Sequence, residues 1–206
     1  MRWLFAAVAP LLLQTASPQA NLPPAYPRVG TTKILDNDRV QVWNIAWLKG
    51  ESYPLHRHLY DLVGVYYEPG DRMIISPEGA KRPVSTKAWD IAFQRSGVTH
   101  IEEGVSDPPL RAVFVEMKQK SPYGTSASDG ALTFAGIGGT QKLDNDRVTV
   151  WEFTQPPPAI SHRHTHNTVV VAFGSTPPKV VWVEQGTVHA DEGVGGASRV
   201  YVFEIK

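Results

Sequence analysis

The 206-residue sequence contains no cysteine, and this absence excludes several kinds of protein. Without a thiol the chain can form no disulfide, so the fold must be stabilised by its hydrophobic cores. A cysteine nucleophile and a lipid-modified cysteine are excluded for the same reason. The sequence also has no Gly-rich phosphate loop and no Ser-His-Asp signature.

An excess of charge of either sign is lacking as well. Lysine and arginine number 20, and aspartate and glutamate also number 20, mixed along the chain. Because no basic stretch is present to grip a polyanion, we expect neither a nucleic-acid partner nor an anionic membrane partner.

Long apolar runs are missing except for one short run at the N-terminus. Residues 3–13 are mostly apolar, follow Met1-Arg2 and are too few to span a bilayer comfortably. Small residues follow at 16–20, as at a cleavage site. The pattern predicts a signal peptide over residues 1–20, a secreted or periplasmic protein, and no membrane association after cleavage.

No convincing amphipathic helix is present, and short alternating segments take its place. Segments such as 40–48, 62–67 and 89–93 alternate or run apolar between turns rich in glycine and proline, which number 17 each. This pattern is typical of a β sandwich or barrel. We therefore predict an all-β fold.

One unit is used twice in the chain. The segment 35–40 recurs at 143–148, and the His-Arg-His of 56–58 recurs at 162–164. The closing apolar run 111–118 is similar to 199–206. The repeat predicts two domains, 29–118 and 131–206, joined by a polar linker over 119–130. The second copy omits most of the segment between Tyr67 and Trp89, so its domain should be shortened.

Six of the seven histidines fall into two matching triplets. Residues i and i+2 of a strand point to the same face, so each His-x-His pair projects together. A third imidazole from another strand would complete a set of three nitrogen ligands with open metal positions. The predicted metal ligands are His56, His58, His100, His162, His164 and His189. The alternative is a surface pair, or a hydrogen-bonded core pair without an ion.

These residues resemble the two signature motifs of the cupins. The first copy has Gly50-x5-His56-x-His58, continuing to Gly70, and then Gly97-x2-His100; the second copy carries the matching histidines. The resemblance implies a bicupin with two tandem cupin-type jelly-roll barrels. It also implies a divalent transition metal (Fe, Zn, Ni, Cu or Mn) in the mouth of each barrel.

The chain departs from the cupin motifs at several positions, of which one is a metal ligand. The glutamate that follows the second histidine in that set is replaced by Leu62 or Val63 in the first copy, and by Thr168 or Val169 in the second. Three-histidine cupins without this glutamate include thiol and diketone dioxygenases, so iron chemistry stays open. The loss argues against the oxalate decarboxylase type.

Carboxylates lie near the third histidine of each copy. Glu102 and Asp191 follow it by two residues, so each would share its strand face and act as a fourth ligand, a hydrogen-bond acceptor or a general base. The alternative, which we favour because Glu103-Gly104 and Glu192-Gly193 follow, is that the strand turns and the acids are solvated.

Three further expectations concern residues outside the predicted ligand set. His166 extends the second run and would either compete for the ion or face solvent. Asp61 and Asn167 are expected to stabilise turns. We expect barrel-core positions for Tyr66, Trp89, Phe173 and Trp182.

The sequence favours an exported bicupin that binds a metal through three histidines. Its activity would be that of a metal-dependent enzyme, of oxygenase or lyase/isomerase type, acting on a small organic molecule. The alternative is a non-catalytic cupin that binds a small ligand, or a structural one, without metal. Dimers are common among cupins, so a homodimer is the expected assembly.

Overall fold

The computed structural model describes residues 21–119, 134–190 and 192–206. The predicted signal peptide and, apart from Gln119, the predicted linker lie outside these residues. The domain bounds 29–118 and 131–206 stay predictions. Within the described residues, no helix is long and apolar enough to cross a membrane.

The first unit consists of nine strands within residues 21–119, arranged in two antiparallel sheets. The five-stranded sheet has the order β1-β2-β9-β4-β7, and the four-stranded sheet has the order β3-β8-β5-β6. The strand bounds are β1 Thr31–Asp36, β2 Val40–Trp47, β3 Ser52–Arg57, β4 Asp61–Glu68, β5 Gly70–Ile75, β6 Lys81–Thr86, β7 Ile91–Gln94, β8 Thr99–Gly104 and β9 Leu110–Met117.

The second unit repeats this arrangement in shorter form. Its five-stranded sheet has the order β10-β11-β16-β13-β14, and β12 pairs with β15. Among its described residues, no strands correspond to the β5–β6 hairpin. The bounds are a 3₁₀ helix Phe134–Ile137, β10 Thr140–Asp144, β11 Val148–Phe153, β12 His162–Arg163, β13 Asn167–Phe173, β14 Lys179–Val183, β15 Val188–His189 and β16 Arg199–Ile205.

The two five-stranded sheets pack against each other and share one hydrophobic core. Alternate residues of each strand supply this core, and the intervening residues face the interior of their own unit. The shared core joins valines of β2, β4 and β9 to valines of β11 and β13, together with Tyr201 and Phe203 of β16. The fold therefore depends on contact between the units as well as on the interior of each.

Aromatic side chains close one side of this interface. The Trp89 ring lies 5.3 Å from that of Phe173 and 6.1 Å from that of Tyr201, and the Arg199 guanidinium lies 4.5 Å from the Trp89 ring centre. Trp182 also packs on the shared core. The expected barrel-core position is confirmed for Tyr66. It is wrong for Trp89, Phe173 and Trp182, which lie between the units.

The repeated Asp-Asn-Asp-Arg-Val segment forms the same turn in both units. The Asn37 side-chain oxygen accepts hydrogen bonds from the backbone N–H groups of Arg39 and Val40, at 2.8 and 2.9 Å. Asn145 binds Arg147 and Val148 in the same way, at 2.7 and 3.0 Å. The segment recurs because it closes a β hairpin, as asparagine side chains commonly do.

A buried ion pair joins the two units beside the shared core. Arg147 Nε lies 3.0 Å from Asp61 Oδ2, and the Arg147 side chain is only 1% exposed. Asp61 Oδ1 also accepts a hydrogen bond from Ser96 N at 2.8 Å. The expected turn-stabilising role of Asp61 is therefore accompanied by a charge contact between units. Asn167 accepts a hydrogen bond from Gln185 N at 3.2 Å.

Replacing Asp61 by Asn should destabilise the protein by about 3–5 kcal/mol, because the buried Arg147 charge loses its counterion. Urea unfolding of the full chain measures this change. Arg95→Gln is the matched control, since Arg95 pairs with the same carboxylate at 3.2 Å but is 51% exposed. Its loss should cost about 1 kcal/mol or less. Equal effects of the two variants would contradict the role of the buried pair.

A second buried carboxylate lies at the far end of β9. Glu116 Oε2 accepts hydrogen bonds from Gln41 Nε2 at 2.7 Å and Trp43 Nε1 at 2.9 Å. Burial is the main influence on this carboxyl, and it raises the pKa of Glu116 from 4.5 to about 7 despite these bonds. Folding therefore favours the protonated form.

Between pH 4.5 and about 7 the unfolded chain binds fewer protons at this position than the folded chain. The Glu116 contribution to stability is thus complete below pH 4.5 and is lost as pH rises through about 7. The two pKa values correspond to a loss of about 3 kcal/mol. Glu116→Gln should remove this part of the pH dependence when unfolding free energies are measured from pH 4.5 to 8. An unchanged slope would contradict the assignment.

Candidate metal centres

Backbone pairing brings the histidines of the first unit together. His56 of β3 is the cross-strand partner of His100 on β8. His58 follows the end of β3, where its N–H donates to Val98 O at 2.9 Å and its carbonyl accepts from Gly97 N at 2.7 Å. The Gly97 backbone lies in the left-handed region, with φ of 91°, so glycine suits this turn.

The three imidazoles of this first centre are arranged to hold one ion. All three residues are buried, and their potential ligand atoms lie within 4.8 Å of one another. His58 Nε2 and His100 Nε2 are 3.4 Å apart. Metal–nitrogen distances of about 2.0–2.1 Å place two ligands of one ion about 3–4 Å apart, so this spacing fits.

Hydrogen bonding prepares His56 as a ligand. Its Nδ1 donates to the Pro54 carbonyl at 3.0 Å, because a carbonyl can only accept. Nε2 therefore carries the lone pair, and this atom is buried with no hydrogen-bond partner. Burial lowers the pKa of His56 to about 4 and that of His58 to about 3. Both rings are thus neutral at pH 7, the form that binds metal.

Glu102 lies on the inward face of β8, beside His100. The carboxylate is buried and 3.6 Å from His100 Nε2. It is held by Arg28 Nη2 at 2.9 Å, Trp47 Nε1 at 3.0 Å and Arg72 Nη1 at 3.1 Å. The expectation that Glu102 is solvated is therefore wrong: the strand stays regular through this residue.

The charge of Glu102 is fixed by its partners. Burial alone would raise its pKa, but Arg28 and Arg72 reverse this effect and hold the pKa well below its usual range. The carboxylate is consequently an anion at neutral pH, and its oxygens are already engaged by two hydrogen-bond donors and by the ion pair with Arg28. This arrangement suits a group that positions its neighbours better than a direct metal ligand.

The second unit brings together His162, His164 and His189 in the same way. His162 of β12 is the cross-strand partner of His189 on β15. His164 Nε2 lies 3.1 Å from His162 Nε2 and 2.7 Å from His189 Nε2. As in the first unit, the first histidine donates from Nδ1 to a backbone carbonyl two residues earlier, here Ile160 at 2.7 Å.

Glu192 completes this second centre. One carboxylate oxygen lies 2.9 Å from His162 Nε2 and 3.4 Å from His164 Nε2, and the other lies 3.6 Å from His189 Nε2. Burial opposes ionisation, but the three imidazoles lower the pKa of Glu192. The group therefore offers three nitrogens and one carboxylate, with ligand atoms within 4.8 Å of one another.

The sequence indicated a turn at Glu192-Gly193 but did not identify Glu192 as a candidate ligand. The chain does turn here, since Gly193 has a φ of 67°, but the turn directs Glu192 inward. Asp191 lies outside the described residues. His166 is not part of the ligand group; its Nδ1 lies 3.7 Å from Glu204 Oε1. The sequence signal that could have identified Glu192 is its position, three residues after the third histidine of the second unit.

The two centres open into different spaces. The first faces a cavity of about 190 Å³ whose lining includes His58, His100 and Glu102. The second borders a cleft of about 420 Å³ whose lining includes His189 and Glu192. The side chain of His100 is 9% exposed and that of His189 is 24% exposed. The described part of the second unit has no counterpart of the β5–β6 hairpin, so the second centre is less covered.

No family model and no curated protein matches the sequence, whereas solved structures do. AerE from Microcystis aeruginosa matches with 10% identity and a TM-score of 0.54, over 85% of this chain and 97% of its own. A cupin domain protein from Bordetella pertussis Tohama I has 28% identity and a TM-score of 0.40, over 43% and 92% of the two chains. A cupin 2 conserved barrel domain protein from Leptotrichia buccalis has 13% identity and a TM-score of 0.47, over 85% and 88%.

These likenesses concern the fold. The neighbours include cupin domain proteins. The antiparallel sheets of this chain are typical of cupin jelly rolls. The prediction of an all-β fold is confirmed. The assignment as a bicupin stays a prediction. The histidine groups allow a metal-binding cupin.

The two carboxylates should respond differently to replacement by the isosteric amide. Glu102→Gln should destabilise the metal-free protein by about 3–5 kcal/mol, because Arg28 and Arg72 lose their buried counterion. Glu192→Gln should destabilise the metal-free protein less, because its partners are imidazoles and not arginines. It should reduce the stabilisation that zinc provides, since it removes a ligand. Calorimetric unfolding with zinc and with a chelator measures both effects.

The comparison is made in a His56→Ala/His58→Ala background, so that only the second centre can contribute to the zinc effect. The matched control there is Glu184→Gln, an acid that lines the same cleft outside the ligand group. An equal zinc effect with and without Glu192 would contradict its role as a ligand.

Proposed function

We propose that each unit binds a divalent transition metal ion and that the first centre acts on a small organic molecule. The observation that carries the proposal is the buried, unpartnered Nε2 of His56 within a group of three histidines. A buried lone pair without a donor is costly, and a metal ion would satisfy it. Three neutral imidazoles suit Zn, Cu, Fe or Ni, and Mn stays among the candidates.

The ligand sets support a division of roles between the units. Structural metal sites are usually closed by four protein ligands, whereas catalytic sites keep a position for water or substrate. The second centre has four candidate ligands, including Glu192, and the first has three. We therefore assign any turnover to His56, His58 and His100, and a structural role to His162, His164 and His189.

A bound ion would supply Lewis-acid or redox chemistry at its free positions. The residues of the chain have separate tasks there. The Pro54 carbonyl fixes the tautomer and orientation of His56. Glu102 holds Arg72 in place beside the cavity while it stays ionised. The enclosing side chains limit the entry of bulk water, which strengthens electrostatic interactions with a bound molecule.

Export and assembly complete the proposal. The N-terminal segment supports action in the periplasm or outside the cell, on a small-molecule partner. A homodimer would have to use a surface other than the outer faces of the five-stranded sheets, because these faces already cover each other within one chain.

Metal analysis of protein purified without added metal tests the proposal. The wild type should contain about two ions per chain, and His56→Ala/His58→Ala and His162→Ala/His164→Ala should each contain about one. In a substrate screen, the first variant should lose turnover while the second retains it if folded. A protein free of metal that also fails to bind Zn, Fe, Ni, Cu or Mn would overturn the proposal. Turnover lost only in the second variant would reverse the assignment.

A further inference from the structure

The cavity of the first unit has hydrogen-bond donors in excess of acceptors. Arg72 Nε and Gln94 Nε2 are buried and have no hydrogen-bond partner, and both residues line the cavity. Among the described lining residues, Glu102 is the only one with a carboxylate, and its oxygens are already engaged by Arg28, Trp47 and Arg72. Unsatisfied buried donors are costly, so a molecule that brings acceptor oxygens would be favoured here.

Positive charge exceeds negative charge in the same lining. Arg72 and Arg82 are present against the single carboxylate of Glu102. Arg82 is an exposed residue of β6 at the rim, and within the described ranges no carboxylate lies within ion-pair distance of it. Arg72, in contrast, is 12% exposed and bonded to Glu102 and to Tyr66. The buried guanidinium of Arg72 and the exposed guanidinium of Arg82 thus border the same cavity.

These donors are specific to the first unit. Arg72 lies on β5 and Arg82 on β6, and the described part of the second unit has no counterpart of this hairpin. Gln94 pairs with Leu62, whereas the matching pair in the second unit is Val183 with Thr168. The described lining of the second cleft includes Glu184 and Glu192 and no arginine or lysine. The hairpin therefore changes the charge of the site as well as its enclosure.

We propose that the first-unit cavity binds a small organic carboxylate through Arg82, Arg72 Nε and the Gln94 amide. Guanidinium groups match the geometry of carboxylates and bind them with charge-assisted hydrogen bonds. The apolar part of the lining, which includes Leu62, Phe93 and Phe114, suits an organic body over a bare inorganic anion. The cavity of about 190 Å³ is smaller than the pockets of about 300 Å³ and more that hold drug-sized ligands, so the molecule is small.

This inference rests on the proposed function, because it identifies the substrate class of the same centre. Its test is calorimetric titration of the full chain, zinc-loaded and chelator-treated, at fixed ionic strength. The probes are acetate, succinate and adipate, each paired with its amide, together with inorganic phosphate. The variants are Arg82→Gln, Gln94→Val and the control Lys81→Gln. Lys81 is an exposed neighbour of Arg82 on β6, and its side chain points to the opposite face.

At least one carboxylate should bind, and more tightly than its amide and than phosphate. Arg82→Gln should weaken that binding by about tenfold or more, as expected for a lost charge-assisted hydrogen bond, and Gln94→Val should weaken it as well. Lys81→Gln should leave the affinity within about twofold, although it removes the same net charge.

The outcomes separate this inference from the proposed function. Zinc binding without any carboxylate binding would overturn the inference alone. So would equal affinities for acids and amides, tighter binding of phosphate, or equal effects of Arg82→Gln and Lys81→Gln. Carboxylate binding that depends on Arg82 in a protein unable to bind metal would overturn the metal-dependent function and support the anion site.

Discussion

The packing of the two five-stranded sheets is the contact on which the rest of the structure depends. It buries the outer face of β2, β4 and β9 against that of β11, β13 and β16, so each sheet gains a second hydrophobic layer from its repeat. With one face fixed in this way, alternation along each strand directs the intervening residues into the unit's own interior. That interior holds Tyr26, Trp43, Trp47 and Tyr66 in the first unit, next to the histidines. The metal centres thus depend on a scaffold that neither unit provides alone.

The two units share this scaffold but hold different metal centres. Both pair the first histidine with the third across two strands, and both fix the first ring through a backbone carbonyl two residues earlier. The carboxylates differ: Glu102 is bound by two arginines, whereas Glu192 lies among the imidazoles. The arginine that binds Glu102 from the cavity side is on β5, in the hairpin for which the second unit has no described counterpart. The presence of this hairpin in the first unit therefore accounts for its greater enclosure, for its positive charge and for the different setting of the acid.

The sequence was sufficient for those features that follow from short-range periodicity and from the repeat. Strand alternation predicted an all-β fold, and the repeated motifs predicted which histidines come together. It was insufficient where the outcome depends on long-range contact. Trp89, Phe173 and Trp182 were expected inside the barrels because aromatic residues in strands are usually buried, yet burial between the units satisfies the same tendency. Glu102 was expected in solvent because Glu103-Gly104 indicates a turn, while its partners Arg28 and Arg72 are distant in sequence. Glu192 was not identified because the direction in which a turn points a side chain does not follow from the sequence.

The central claim is that one scaffold holds two unlike metal centres, one with three protein ligands and one with four. A crystal structure of the zinc-loaded protein, with anomalous data at the zinc edge, tests it most directly. The account predicts two zinc ions. One is bound by His56, His58 and His100, while Glu102 stays paired with Arg28 and Arg72. The other is bound by His162, His164, His189 and Glu192. The absence of a peak at both histidine groups would contradict the account, as would Glu102 leaving its arginines to ligate the first ion.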